Sequence, residues 1–353
     1  MSRFLSNKFN NIVPYTPGEQ PKIQGLVKLN TNESPFPPSP KVLEALNKEE
    51  LSRLNLYSDP NATDVRNAIA EVLSVDPDMI MMGNGSDEIL SFTFEAFCDS
   101  EHEPVFADLT YGFYPVFCEI YHLKPTILKL NDDLSINVND YIGLNRPVFI
   151  ANPNAPTGIA LDLDDVEKIV SSNDSIVLID EAYVDFGAES AVKLTKKYKN
   201  LIVSRTFSKS RNLAGARLGF AVADKELIND LNTMRYCFNP YNINRLSIIA
   251  GKESVLDVDY FEKCVDEIIK TREYTVKELE KRGFIIPDSK SNFIFPEHKK
   301  MDGTYYFNEL RKRNILVRHF DSERTKNHVR ITIGSKKQMD NLIDATDEIL
   351  KSI

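Results

Sequence analysis

The stretch Leu201-Ile-Val-Ser-Arg-Thr-Phe-Ser-Lys-Ser-Arg-Asn-Leu-Ala-Gly-Ala-Arg-Leu-Gly-Phe220 decides the reading of this chain. Its first three residues, Leu201 to Val203, are apolar, a run short enough for a buried strand. A polar turn follows and gathers Thr206, Ser208 and Lys209. Gly215-Ala216-Arg217 then leads into a second apolar run, Leu218 to Val222. One lysine among hydroxyls, with an arginine eight residues on, suits a site for a phosphorylated carbonyl compound. The amine can form a Schiff base. Thr206, Ser208 and Arg217 can hydrogen-bond an anion, the arginine through its planar fork. An isolated Ser-Lys is ordinarily surface polarity, so the weight falls on what the rest of the chain supplies.

Upstream, the chain supplies the other parts in order. Ile176 to Ile179 is a fully apolar strand that stops at Asp180-Glu-Ala-Tyr183. Pro147 to Ala151 is a strand running into the rigid turn Asn152-Pro-Asn-Ala-Pro-Thr-Gly158. Met79 to Met82 is a short strand, followed by Gly83-Asn-Gly-Ser-Asp-Glu88 and an amphipathic helix. Backbone N–H groups at Gly85, Ser86 and Asp87 would sit at that helix start, where a phosphate can be cradled. A plain helix start capped by Ser86 or Asp87 explains the same residues. The turn is neither GxGxxG nor a Walker loop, so the two common nucleotide loops are not supported. Val105 to Ala107 is a further strand, and Tyr111 after it is placed either to stack on a flat ring or to join the core.

Alternating strands and helices through 79–223 predict a mostly parallel α/β sheet. Ligands of such sheets bind at the carboxyl ends of the strands. Asn154, Asp180 and Lys209 each lie just past such an end. After about residue 240 the character changes. A long helix spans Asp257 to Arg282, then come Phe293-Ile-Phe, a helix near 304–313, Ile315 to Arg318, Val329 to Ile333, and a last helix from Gln338 to Leu350. The expected organisation is an arm over 1–29, a large α/β domain over 30–240, and a smaller α+β domain over 241–353. Arg318 and Arg330 fall in short strands of the latter and are candidate anion receptors.

Composition narrows the partners. A net charge of −9 and a pI near 5.3 argue against nucleic acid and anionic membranes. No apolar run reaches a membrane span. The first residues lack the apolar core of a signal peptide. The four cysteines form no CxxC, so neither a zinc site nor a disulfide framework is suggested, and a cytoplasmic location is expected.

Gly-Ser-Asp-Glu, Thr-Tyr-Gly, Asn-Pro-Asn-Ala-Pro-Thr-Gly, Asp-Glu-Ala-Tyr, Ser-Lys and Ala-Gly-Ala-Arg-Leu-Gly together resemble the fold type I pyridoxal-phosphate aminotransferases. Leu29-Asn-Thr-Asn-Glu-Ser-Pro35, Tyr57-Ser-Asp-Pro60 and Val329-Arg-Ile-Thr-Ile-Gly334 resemble the branch acting on histidinol phosphate. The resemblance runs from about residue 15 to residue 334. It implies pyridoxal 5′-phosphate as cofactor, with Lys209 holding it as a Schiff base and moving the substrate proton. Asp180 would pair with the ring nitrogen, Tyr183 with the ring hydroxyl, and Tyr111 with the ring face. Gly85, Ser86, Asp87, Thr206, Ser208 and Arg217 would hold the phosphate. Tyr15, Asn32, Tyr57, Arg318 and Arg330 would receive the substrates, histidinol phosphate and glutamate or 2-oxoglutarate. Tyr57 would do so, and reach the cofactor phosphate, from a neighbouring subunit, which implies a homodimer with shared sites.

One departure stands out. Many relatives carry Asn directly before Pro-Thr-Gly; here that residue is Ala155, and the ring contact is expected of Asn154. The same frame also serves aminotransferases for aromatic and other amino acids, and lyases resembling phosphothreonine decarboxylase. A remoter reading is a nucleotide-dependent α/β protein.

Overall fold

The computed structural model describes residues 2–9 and 12–352. The chain opens as an irregular segment that ends in β1 (Val27–Lys28). Three helices follow: α1 (Pro40–Ala45), α2 (Lys48–Ser52) and α3 (Thr63–Leu73). Ser39 caps α1 by accepting from the Val42 amide, and Pro40 occupies the first helical position, where a missing N–H costs nothing. Next come β2 (Ile80–Gly83), α4 (Ser86–Phe97), β3 (Val105–Ala107), α5 (Tyr114–Tyr121) and β4 (Thr126–Leu128). The central part continues with β5 (Val148–Ala151), α6 (Leu163–Ser171), β6 (Val177–Asp180), β7 (Leu201–Thr206) and β8 (Gly219–Ala223).

These seven strands form one sheet in the order β2-β8-β7-β6-β5-β3-β4. Only β8 runs against the rest. The mostly parallel sheet expected from the alternation is therefore present. Strands β2, β3, β5, β6 and β8 are buried along their whole length, which accounts for their apolar runs. Edge strand β4 is partly exposed and lacks that signature. Two apolar layers cover the sheet. One is built around Val65, Ile69, Val166 and Ile169, the other around Leu90, Phe94, Phe117 and Leu231.

Downstream lie α7 (Lys225–Phe238), α8 (Arg245–Leu256) and the long α9 (Val258–Glu280). The remaining strands are short: β9 (Phe284–Ile285), β10 (Phe293–Ile294), β11 (Glu297–His298), β12 (Ile315–Leu316), β13 (Arg318–His319) and β14 (Val329–Thr332). Helix α10 (Gly303–Lys312) packs on them, and α11 (Lys336–Leu350) packs on α9 and α10. A third core, with Phe293, Leu310, Ile331 and Leu342, holds this part together.

The boundary expected at residue 240 does not match the packing. Helix α8 lies against α1 and α3, and Ile243, Ile248, Ala250 and Val255 join the core under the central sheet. We therefore propose that the division falls after Leu256. The arm is not separate either. Strand β1 pairs in parallel with β12, so residues 27–28 are stitched to the C-terminal part.

Candidate active site

A cavity of about 460 Å³ opens at the carboxyl edge of the central sheet. The ends of β5, β6 and β7, the start of the reversed β8 and the start of α4 all face it. Lys209 sits in the turn after β7. Its Nζ donates to the Thr31 carbonyl at 3.4 Å and lies 5.7 Å from the centre of the Tyr183 ring. Asp180 ends β6 and is 4% exposed. Its Oδ2 accepts from the Tyr114 hydroxyl at 3.4 Å, while Oδ1 has no hydrogen-bond partner among the described residues. Burial, reinforced by the nearby Asp87 charge, pushes the Asp180 carboxyl up to about 7. An N–H donor or a cation beside Oδ1 would reverse that shift. The Tyr183 hydroxyl accepts from Asn32 Nδ2 at 2.9 Å, and its ring stands edge-on to Phe293.

Opposite the carboxylate, the cavity ends in a cup suited to an anion. Gly85 precedes α4 with φ of 83°, a conformation that favours glycine. A Cβ at Gly219 would lie 2.5 Å from the Ser86 amide nitrogen, so glycine there lets β8 approach the helix start. Arg217 reaches in with Nη1 3.4 Å from Ser208 Oγ and Nη2 3.1 Å from Asp87 Oδ2. Thr206 Oγ1 accepts from the Ser208 amide at 3.1 Å. A helix N-terminus, two hydroxyls and a guanidinium thus converge. Tyr111 forms a side wall, its hydroxyl donating to Asp87 at 2.6 Å. Burial and the Asp87 charge hold that phenol well above its usual pKa, so it stays protonated.

A second lobe of about 270 Å³ adjoins the first and shares Thr31, Tyr111, Ala155, Tyr183 and Lys209 with it. Lys209 therefore stands where the two meet. The second lobe adds Tyr15, Asn32, Arg318, Phe320 and Arg330. Arg318 and Arg330 are direct cross-strand partners in the β13–β14 pair. Like charges in that relation destabilise a sheet. Neither arginine pairs with a carboxylate among the described residues. Arg330 donates through Nη2 to the Asn30 carbonyl at 3.1 Å, and its buried Nε has no partner among the described residues. Burial holds its guanidinium below the usual pKa. Such an arrangement accepts an anion, ideally one with more than one charge.

Residues 13–20 cross the mouth as a strap. The Val13 amide donates to Glu119 at 2.8 Å, and the Tyr15 ring packs on Phe113 at 4.6 Å. The Thr16 carbonyl accepts from Arg318 at 3.2 Å. Glu19 accepts both Arg311 amines, at 2.8 and 2.7 Å, and Gln20 lines the first cavity.

The structure thus brings together Lys209, Asp180, Tyr183, Tyr111, Gly85, Ser86, Asp87, Thr206, Ser208 and Arg217 around one lobe, and Tyr15, Asn32, Arg318 and Arg330 around the other. Two expected residues stand apart. Asn154 is buried with its amide given to the Leu109 carbonyl and the Thr157 hydroxyl, at 2.9 and 3.3 Å; Pro153 and Ala155 line the cavity instead. That amide stabilises its own turn. Tyr57 is 79% exposed, stacked on Tyr241 at 4.5 Å and in neither lobe of its own chain. Sequence reasoning missed Tyr114, Thr31 and Glu33. Tyr114 follows Tyr111 by one helical turn, a spacing that could have flagged it. Thr31 and Glu33 flank Asn32 and offered no separate signal.

The family model for aminotransferase class I and II matches residues 24–345. A histidinol-phosphate aminotransferase of Brachyspira hyodysenteriae is 49% identical over 354 residues, covering all of both chains. One from Clostridium botulinum is 46% identical with the same coverage. The crystal structure of histidinol-phosphate aminotransferase from Sinorhizobium meliloti in complex with pyridoxal-5′-phosphate superposes with a TM-score of 0.84. It is 24% identical and covers 92% of this chain and 91% of that one, and it speaks for the fold. With a family match over most of its length and relatives near half identity end to end, the chain belongs to the class I and II aminotransferases.

Proposed function

We propose that this chain is a pyridoxal-phosphate aminotransferase that moves the amino group between L-histidinol phosphate and 2-oxoglutarate. The observation that carries the substrate is the second lobe, where two arginines face each other without a carboxylate and Lys209 stands at the entrance. The full-length relatives named for the same reaction support it.

The cofactor fits the first lobe on the chemistry of its donors. The unpartnered Asp180 Oδ1 matches a ring N–H, and the cup of Gly85, Ser86, Thr206, Ser208 and Arg217 matches the phosphate. Bound there, pyridoxal phosphate supplies an electrophilic carbonyl carbon and an electron-withdrawing ring. Lys209 would provide the amine that attaches it and, once displaced, would be the base that carries the proton from the substrate α-carbon to the former carbonyl carbon of the cofactor. Asp180 holds positive charge at the ring nitrogen, and Tyr183, oriented by Asn32, donates to the ring hydroxyl. Tyr111 covers one face. Arg318 and Arg330 grip the substrate phosphate in one half-reaction and the distal carboxylate of glutamate in the other, and the strap over residues 13–20 limits water.

The exposed stack of Tyr57 on Tyr241, beside exposed Leu51, Leu54, Leu56 and Phe238, supports a homodimer in which Tyr57 serves the neighbour's site. Four free cysteines support a cytoplasmic location. The net charge supports small molecules rather than nucleic acid as partners. The test is turnover of histidinol phosphate, phenylalanine and phosphothreonine side by side with 2-oxoglutarate. Preference for histidinol phosphate is expected. Preference for phenylalanine, or carbon dioxide released from phosphothreonine, would replace the reading.

A further inference from the structure

The double-arginine lobe is lined by several parts of the chain, two of which face each other across it. Leu109, Thr110 and Tyr111 come from the loop after β3, whereas Arg318, Phe320 and Arg330 come from the C-terminal strands. Their relative position decides how wide the lobe is. One side chain bridges the two parts directly beside it. Arg324, in the loop between β13 and β14, donates through Nη1 to Asp108 Oδ2 at 2.5 Å. Through Nη2 it donates to the Leu130 and Asn131 carbonyls at 3.1 and 2.9 Å. Asp108 directly precedes the Leu109–Tyr111 wall, and Leu130 hydrogen-bonds Asp108.

Both ends of the bridge are stiff. Asp108 directly precedes Leu109. Its amide donates to the Leu128 carbonyl at 2.8 Å, and its Oδ1 accepts from the Leu130 amide at 3.0 Å. On the other side, Thr325 donates to the Phe320 carbonyl at 3.1 Å. His319 Nε2 meets the Lys326 carbonyl at 2.8 Å. The 320–328 loop is therefore folded on itself, and a force on Arg324 reaches Phe320 and Arg318 within two or three bonded contacts. An exposed ion pair alone contributes little. Three acceptors on one planar guanidinium form a geometric clamp instead, because each fixes a different direction.

We propose that Arg324 is a positioning residue: by clamping its loop to Asp108, Leu130 and Asn131 it sets the spacing between Arg318 and the Thr110–Tyr111 wall, and so tunes affinity for the substrate's anionic end without touching it. The inference rests on the proposed function for the identity of that anion. The clamp is formed before any anion arrives, so less of the anion's binding energy goes into ordering the loop. With the clamp weakened, the anion must order the loop by itself.

The test compares Arg324→Ala, Arg324→Lys and Asp108→Asn with wild type as holoenzymes. For Arg324→Ala the KM for L-histidinol phosphate should rise roughly five- to tenfold, as expected for partial loss of charge-assisted bonds at a solvent-facing site. Turnover at saturation should stay within about twofold, because the reacting atoms lie at Lys209. Arg324→Lys should recover part of the loss, and Asp108→Asn should raise KM in the same direction. The double variant should lose less than the sum of the two single losses, since both cut one contact. A second readout is backbone hydrogen exchange over residues 318–322. Without ligand it should be slow in wild type and fast in Arg324→Ala, and inorganic phosphate should slow it in Arg324→Ala. An unchanged KM, or a fall in saturated turnover that follows a lower melting temperature, would overturn the clamp. Wild-type protein inert toward histidinol phosphate would refute the proposed function instead, and the exchange experiment with inorganic phosphate would then decide this inference by itself.

Discussion

Replacing Arg330 with methionine should nearly abolish activity and leave the fold as stable as before, or more so. Arg330 sits across from Arg318 in the β13–β14 pair, has one backbone acceptor, and keeps a buried Nε unpaired. Methionine removes the like-charge contact and the stranded nitrogen, and its flexible side chain fills the space between Phe293 and Phe320. The loss on the stability side is one hydrogen bond to the Asn30 carbonyl, about 1 kcal/mol. The gain from relieving a like-charge cross-strand pair is of the same order, about 0.2–1 kcal/mol, before the unpaired Nε is counted. The two nearly cancel. Binding is different. A guanidinium fork on a phosphate makes two charge-assisted bonds of about 1.5–3 kcal/mol each, and some of that is shared with Arg318. A net loss of about 3–4 kcal/mol corresponds to a fall in kcat/KM of roughly 10²- to 10³-fold. Arg330→Lys keeps the charge without the fork and should fall between. The assays are initial rates with histidinol phosphate and 2-oxoglutarate, and calorimetric melting of the holoenzyme. A kcat/KM within threefold of wild type, or a drop in melting temperature of many degrees, would refute the reasoning.

Lys209→Ala should end borohydride fixation of the cofactor to the chain and lower turnover by several powers of ten, each about 1.4 kcal/mol, with circular dichroism unchanged. Asp180 gives a pH signature in cofactor-free protein. Its folded carboxyl titrates near 7 against an ordinary 3.8, so the folded state holds the extra proton. The stability this contributes is present below about 4 and is lost as pH rises to about 7. Cofactor-free Asp180→Asn should therefore melt above cofactor-free wild type at pH 8, with a smaller gap at pH 5, and adding pyridoxal phosphate should reverse the order. An equal gap at both pH values would show that the carboxyl is not raised. Mixing Tyr57→Phe subunits with Lys209→Ala subunits should restore activity after exchange, because one site of each heterodimer would carry neither defect. No recovery would place Tyr57 in its own chain's site, against its 79% exposure.

How legible the molecule was in its sequence depended on burial. Ile176 to Ile179 and Leu201 to Val203 are apolar because their strands are covered on both faces, so the sheet and the edge where Asp180 and Lys209 end up could be read directly. β4, partly exposed at the sheet edge, carried no such run and was not anticipated. Helix α8 was missed for a related reason. It is covered on much of its surface, so Ile248, Ala250, Gly251 and Val255 give no single apolar stripe, and its packing under the sheet moved the division of the chain. Among site residues, Lys209 and Arg217 are marked by their neighbours in a short polar turn. Asn154 fits two roles by type, ring contact and turn hydrogen bond, and only the geometry shows that Leu109 and Thr157 take its amide in the ligand-free chain. The convergence of Arg318 on Arg330 depends on strand register, which two isolated short runs do not reveal.

The strap over residues 13–20 separates being folded from being competent. It roofs both lobes through Tyr15, Gly18 and Gln20, yet among the described residues none before Val27 belongs to any of the three apolar cores. A molecule nicked between Gln20 and Leu26 would keep its sheet, its cores and its lysine. Beyond Phe113, on which Tyr15 packs, it would expose little new apolar surface for a chaperone or protease to recognise. Damage at that one place would therefore accumulate silently, as protein that counts toward abundance but not toward flux. The specific activity of an ageing preparation would fall while its melting curve stayed where it was.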